Sequence, residues 1–269
     1  MKKINYKKVL GAFLWLLAIT GIGISLAFAV KSADLVRAGR VDVLIENDEN
    51  FFLNEEGVRE FFSDRKVPII GCLVKDINIP MLEKSLNAHP AVEKAEVAAS
   101  LDGAVKVRVL QRSPVLRVIN KSGESYYVDS GSRLMPLNEN YSARVLVASG
   151  EIYEPFARRS LLSVDQIAQN QTYSEISVLD DLYTVAKRIA ADKKLSALIH
   201  QMYVNKDQEI ELYPAAGDHR IVLGDARDLD VKFNKLRLFY TEGLNATNGW
   251  NKYASIDLRY KNLVVCTKK

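Results

Sequence analysis

Residues that build metal centres and nucleophiles are scarce in this chain: among 269 residues there are two cysteines, Cys72 and Cys266, and three histidines, His89, His200 and His219. No Cys/His cluster has the spacing of a metal site, and neither cysteine has a histidine close by to activate it. A disulfide is open to the two cysteines in an exported chain, but nothing in their spacing demands one, and they read as buried free thiols. The histidines carry no motif context and read as loop or sheet-edge residues. Also missing are Gly-x-Ser-x-Gly, His-Glu-x-x-His, a Ser-x-x-Lys set and a glycine-rich phosphate loop after a strand. Asp180 and Asp181 are adjacent on a helical pattern, so they point in different directions and read as a solvated face. No enzyme, cofactor, metal ion or small-molecule substrate is therefore expected.

Runs of one charge sign are absent as well. The net charge of +4 comes largely from the N-terminal lysines and the Lys268-Lys269 pair, and elsewhere basic and acidic residues alternate. That pattern excludes a nucleic-acid stripe. Hydrophobic residues at 48% and aromatics at 9% describe a folded chain, not a solvated linker.

Long apolar runs are confined to one stretch, residues 9–30, which has no charge and only Thr20 and Ser25 as polar side chains. At about 1.5 Å per residue its roughly 22 residues make a helix of about 33 Å, enough to cross a hydrocarbon core of about 30 Å. Lys2, Lys3, Lys7 and Lys8 precede it, whereas Lys31, Arg37 and Arg40 beyond it are spread out and accompanied by Asp34. The positive-inside tendency places residues 1–8 in the cytoplasm and exports everything after Lys31. A cleaved signal is the alternative, because Ala27-Phe28-Ala29 has the small-x-small form. The run is longer than the 7 to 15 residues typical of a signal, which favours an uncleaved anchor.

About 230 residues remain, enough for two modest domains. Residues 31–40 read as a connector. Val41, Val43 and Ile45 alternate with Asp42, Leu44 and Glu46 as a strand. Asn54 caps a helix that carries Glu55 and Glu56 in its first turn and Val58, Phe61 and Phe62 on one face. A second helix starts near Pro80 and stops before Pro90. Val92, Ala95 and Val97 form a strand, Asp102-Gly103 a turn, and Val105, Val107 and Val109 the clearest strand of the chain. Strand, helix, helix, strand, strand makes a small α+β unit.

After Pro114 the pattern turns to β. Short strands are expected at 115–119, 126–128, 133–137 and 144–147, and residues 151–171 carry no readable pattern. Leu179, Leu182, Ala186 and Ile189 mark a helix within 175–192; strands follow at 199–204, 209–213 and 219–224. Leu229, Phe233, Leu236 and Tyr240 mark a second helix ending near Gly243. Strands at 253–260 and 263–267 complete the pattern.

The stretch holding Pro90, Val92, Ala95, Val97, Val105, Val107, Val109, Gln111, Arg112 and Pro114 resembles the second half of a POTRA domain of the FtsQ/DivIB cell-division family. Gln111 stands where that family commonly has Glu. Residues 126–137 are similar to its aromatic-pair, Asp, x, x-Gly hairpin. Leu223, Gly224, Lys232, Asp257, Leu258, Arg259 and Tyr260 match its second domain, with Asp225 a departure from relatives that carry a basic residue there.

The resemblance implies an α+β chain: a cytoplasmic tail (1–8), a single N-terminal transmembrane helix (9–30), a connector (31–40), a POTRA domain (41–113) and a mixed, mainly β domain with two helices (114–269). It further implies a bitopic inner-membrane protein of the bacterial division septum that holds FtsB and FtsL, and with them other divisome components, and so helps control septal peptidoglycan synthesis. Asp257 and Arg259, two apart on a strand, read equally as a surface ion ladder or a recognition edge, and the resemblance favours recognition. The expected mode is strand addition to an open terminal edge at residues 260–266. Its partner-binding residues would be Arg259, Tyr260, Asn262, Leu263, Val264 and Val265. A POTRA-bearing secretion factor would need a long C-terminal barrel, which the helices near Leu182 and Leu236 oppose. A periplasmic enzyme would need converging titratable groups, which the sequence does not offer; an envelope-assembly factor or an anchored periplasmic domain of unrelated role is the alternative reading.

Overall fold

The computed structural model describes residues 13, 15–25, 35–47, 51–139, 141–160, 162–170, 177–246 and 249–269. Within the apolar run, residues 13 and 15–25 are helical. No helix among the described residues is long and apolar enough to cross a membrane, and the remainder of the 9–30 run lies outside them. The chain divides into two compact units, Met1–Asp48 with Leu53–Gln111, and Glu49–Phe52 with Arg112–Lys269.

The first unit runs β1 (Arg40–Glu46), α1 (Glu55–Asp64), α2 (Ile79–Asn87), β2 (Val92–Ala99) and β3 (Ala104–Gln111). Its sheet has the order β1-β3-β2, with β1 parallel and β2 antiparallel to β3. Valine alternation drives it. Val105, Val107 and Val109 are buried, as are Ala95 and Val97 beside them, while Lys106 and Arg108 face outward. Val58, Phe61, Phe62, Leu82 and Leu86 of the helices close the core. Both helices start on asparagine caps, Asn54 accepting from the Gly57 N–H at 2.7 Å and Asn78 from that of Met81 at 3.1 Å, which satisfies donors the first turn leaves open.

The outer edge of β2 is occupied by α2. Glu83 Oε1 accepts from the Val97 N–H at 2.9 Å, and Asn87 accepts from the Ala95 N–H at 2.9 Å while donating to its carbonyl. Those backbone groups are the ones an added strand would need.

The second unit runs β4 (Pro114–Ile119), β5 (Ser125–Asp129), β6 (Leu134–Pro136), β7 (Leu146–Gly150), α3 (Phe156–Arg159), α4 (Val164–Gln169), α5 (Leu179–Ala190), α6 (Lys193–Leu198), β8 (Ile199–Val204), β9 (Ile210–Pro214), β10 (Arg220–Gly224), α7 (Leu229–Leu238), β11 (Tyr253–Asp257) and β12 (Val265–Lys268). One nine-stranded sheet holds every strand, in the order β12-β11-β10-β9-β8-β7-β4-β5-β6. Leu182, Ala186 and Ile189 of α5 and Phe233 and Leu236 of α7 join the sheet residues Leu116, Met202 and Leu212 in its core.

Near the start of this unit Arg112 and Asp129 form an ion pair at 2.6 Å, with Asp129 only 3% exposed. Asp129 also accepts from the Arg133 N–H at 2.7 Å. A buried carboxylate must be paired and hydrogen-bonded in this way.

Several expectations need correction. The unit has more than two helices, because residues 151–171 contain α3 and α4, and α6 follows α5 directly. These pieces are too short for periodicity to show, although Ser163 and Gln166 of α4 make a reciprocal capping box. The helix expected to reach Gly243 is α-helical only to Leu238 and continues as a π-turn, Phe239–Asn245, whose Tyr240 is held by buried His219 at 2.7 Å. Both cysteines are free, as expected, but half-buried instead of fully buried. Asp180 is exposed whereas Asp181 is half-buried, and burial together with the neighbouring Asp180 charge raises the Asp181 pKa.

Candidate protein-interaction edge

The nine-stranded sheet has two edges, and they differ. β6 is three residues long and ends in Pro136. The chain just before β6 is covered by the start of α4, where the Val164 N–H donates to the Ser132 carbonyl at 2.8 Å and Arg133 bridges to Ser163. A short, proline-ended, covered strand is a closed edge. At the opposite edge β12 pairs antiparallel with β11, through Ile256 with Cys266 and Asp257 with Val265, and has no second neighbour among the described strands.

The loop into β12 is shaped from below. Leu258 is buried and its N–H donates to the Val222 carbonyl at 2.9 Å. Lys235 of α7 then directs its ammonium at three carbonyls of the loop, those of Leu258 at 3.0 Å, Tyr260, and Leu263 at 3.5 Å. Carbonyls gathered on one cation are unavailable to a ladder, so β12 begins at Val265 and β11 stops at Asp257, both strands being shorter than the alternation suggests. Burial, and then the nearby Lys232 charge, lower the Lys235 pKa.

Arg259 turns back into the protein. It forks onto Glu209 at 2.7 and 3.0 Å and onto Asp257 at 2.6 to 3.1 Å. Asp257 also accepts from the Arg259 N–H at 3.0 Å, which ends the strand. Hydrogen bonds donated to Asp257 and Glu209 raise the Arg259 pKa further, so it stays charged. Partial burial would raise the Asp257 pKa, but the bonds from Arg259 outweigh it and lower it. Gly224 makes room for this fork: at φ +78° its backbone lies so close that a Cβ would sit 2.8 Å from Arg259 Cγ. Beside it Lys232, itself buried, holds the Asp225 carbonyl and carboxylate at 2.9 and 2.8 Å.

Of the six residues the sequence singles out, Tyr260, Asn262, Leu263 and Val265 are exposed, Val264 packs partly on the core, and Arg259 is engaged by Asp257 and Glu209 while its side chain stays 40% exposed. Tyr260 is 50%, Leu263 64% and Val265 44% exposed, so an apolar strip adjoins the open backbone edge. Sequence reasoning missed Lys235 and Glu209. Each is one polar residue in a polar run, and its role depends on contacts 23 to 50 positions away.

Among the described residues no group of three or more His, Cys, Asp or Glu is placed to hold a metal ion. His219 lies buried against Tyr240 and Trp250, not at a loop or sheet surface.

Comparison with known families gives two matches. Residues 38–110 match a POTRA-like domain, in agreement with the strand-helix-helix-strand-strand unit. Residues 113–267 match the family described as FtsQ/DivIB, C-terminal related. No curated protein matches this sequence. With its nine-stranded second unit matched almost throughout and a POTRA-like unit before it, the chain belongs to the FtsQ/DivIB family.

Proposed function

We propose that this protein is a non-catalytic divisome scaffold, anchored in the bacterial inner membrane by residues 9–30 with residues 1–8 in the cytoplasm, the POTRA domain at 41–113 and the β domain at 114–269. Family membership supports a cell-division scaffold. It holds FtsB and FtsL-type partners at the septum. The observation that carries the partner reading is the open β12 edge beside the exposed Tyr260, Leu263 and Val265. A partner strand adds to β12 through backbone hydrogen bonds, and Tyr260, Asn262, Leu263, Val264 and Val265 supply the side-chain contacts, with Arg259 on the flank.

The test is capture of FtsB and FtsL by the full chain in nanodiscs, repeated after deletion of residues 263–269 and with Tyr260→Ala. Loss of capture with an unchanged circular dichroism spectrum is the expected result. Capture that survives the deletion moves the interface elsewhere on the chain.

A further inference from the structure

Among the described residues of the first unit outside residues 13–25, the three most exposed large apolar side chains are Leu101 at 79%, Leu35 at 69% and Ile70 at 68%. They are far apart in sequence, but their loops are joined at one end of the sheet. Segment 36–39 joins their loops. The Val74 N–H donates to the Val36 carbonyl at 2.9 Å, the Ala38 N–H to the Cys72 carbonyl at 2.9 Å, and the Gly71 N–H to the Ala38 carbonyl at 2.7 Å. On its other side the Gly39 N–H donates to the Gly103 carbonyl at 2.9 Å. Gly103, at φ +83°, lies so close to this segment that a Cβ there would sit 2.5 Å from the Arg37 carbonyl oxygen. The loops carrying Leu35, Ile70 and Leu101 are thus fastened side by side, at the end where β1 and β3 begin and the β2–β3 hairpin turns.

Charge at this end does not oppose a lipid surface. Arg40 is shared between Asp102, beside Leu101, at 2.8 Å and Asp42 at 3.1 Å, exposed Asp76 follows exposed Lys75, and Arg37 is exposed while donating to the Gly71 carbonyl. Balanced charge around free apolar tips is compatible with an interfacial surface.

The covalent chain says what lies opposite. Residues 30 and 35 are five Cα steps apart, which span at most about 18 Å, and the headgroup layer is itself on the order of 5–8 Å per leaflet. We propose that Leu35, Ile70 and Leu101 form a lipid-facing tripod that seats the first unit on the headgroup region of the bilayer. The inference rests on reading residues 9–30 as a membrane span.

The full chain in vesicles of phosphatidylcholine and phosphatidylglycerol tests it. In a Cys72→Ser, Cys266→Ser background, a bimane fluorophore is placed by Ile70→Cys, Leu101→Cys or, as reference, Glu93→Cys. Glu93 is exposed at the other end of β2, about 26 Å away along eight residues. Headgroup-depth nitroxide lipids and aqueous acrylamide are the two quenchers. Separately, Trp15 in a Trp250→Phe chain is read against brominated acyl chains to report the span itself. Severalfold stronger lipid quenching at 70 and 101 than at 93, with Trp15 also quenched, is expected. Trp15 quenched but 70 and 101 behaving like 93 overturns the tripod and leaves the span standing. Shielding from acrylamide without lipid quenching overturns it in favour of a protein neighbour, such as a second copy. An unquenched Trp15 overturns the span and the tripod together.

Discussion

At Gly224 a single backbone angle and a single missing carbon admit the Arg259 stem. Alanine there meets both a positive φ and a contact of 2.8 Å to Arg259 Cγ; the left-handed backbone alone costs about 1–2 kcal/mol. Gly224→Ala is expected to lower the melting temperature by several degrees and to weaken FtsB capture together with it, as differential scanning fluorimetry and a parallel pull-down will read. Two histidines, buried His219 and half-buried His89, contribute to the pH response. Burial lowers the pKa of both His219 and His89, so the unfolded chain, near 6.5, takes up protons before the folded one does. Their contribution to stability is whole above about pH 6.5 and is lost as pH falls through the lowered folded values. Urea midpoints are expected to be level from pH 8 to 7 and to fall towards pH 5, with the two rings followed individually by NMR titration. At this scale the sequence was legible where a motif names the residue: Arg112, Gly224 and Lys232 all stand out and all hold structure together. It was silent on Lys235 and Glu209, whose partners arrive only through the fold.

β12 is an element positioned by a side chain on another element. Lys235 supplies charged hydrogen bonds to the loop that leads into it, and such bonds are worth about 1.5–3 kcal/mol when buried. Lys235 is only half-buried, so screening leaves roughly 1 kcal/mol. Lys235→Met is therefore expected to leave the fold intact, speed hydrogen exchange at the β12 amides about fivefold and weaken FtsB capture. Lys235→Arg should restore most of both, and unchanged exchange in Lys235→Met would remove the clamp. Elements long enough to repeat their pattern were readable: α1, α2, α5 and α7, and the valine strands β2 and β3. α3, α4 and α6 were not, since four to six residues complete fewer than two helical turns. β11 and β12 were read too long because alternation continues through residues whose backbone groups are taken by Asp257 and Lys235.

For the whole molecule, residues 38–110 match a POTRA-like domain and residues 113–267 the FtsQ/DivIB C-terminal related family, and the sequence pattern turns to β after Pro114, but the strand order was not legible. β7 lies between β4 and β8 and is parallel to both, an arrangement that depends on the connecting helices and leaves no trace in strand alternation. The membrane reading makes its own prediction at this scale: deletion of residues 9–30 is expected to move the protein from the carbonate-resistant pellet to the supernatant. Retention in the pellet would assign anchoring to another part of the chain. The parallel pairing of β1 with β3 has a mechanical consequence. A chain that comes in at the start of β1 and goes out from the end of β3 leaves the first unit at the end opposite to its arrival, about 23 Å further on for a seven-residue strand. A hairpin in the same place would have brought it back to its starting level. The first unit therefore works as a riser of fixed step: strand length, not a flexible tether, sets how far its exit lies from its entry.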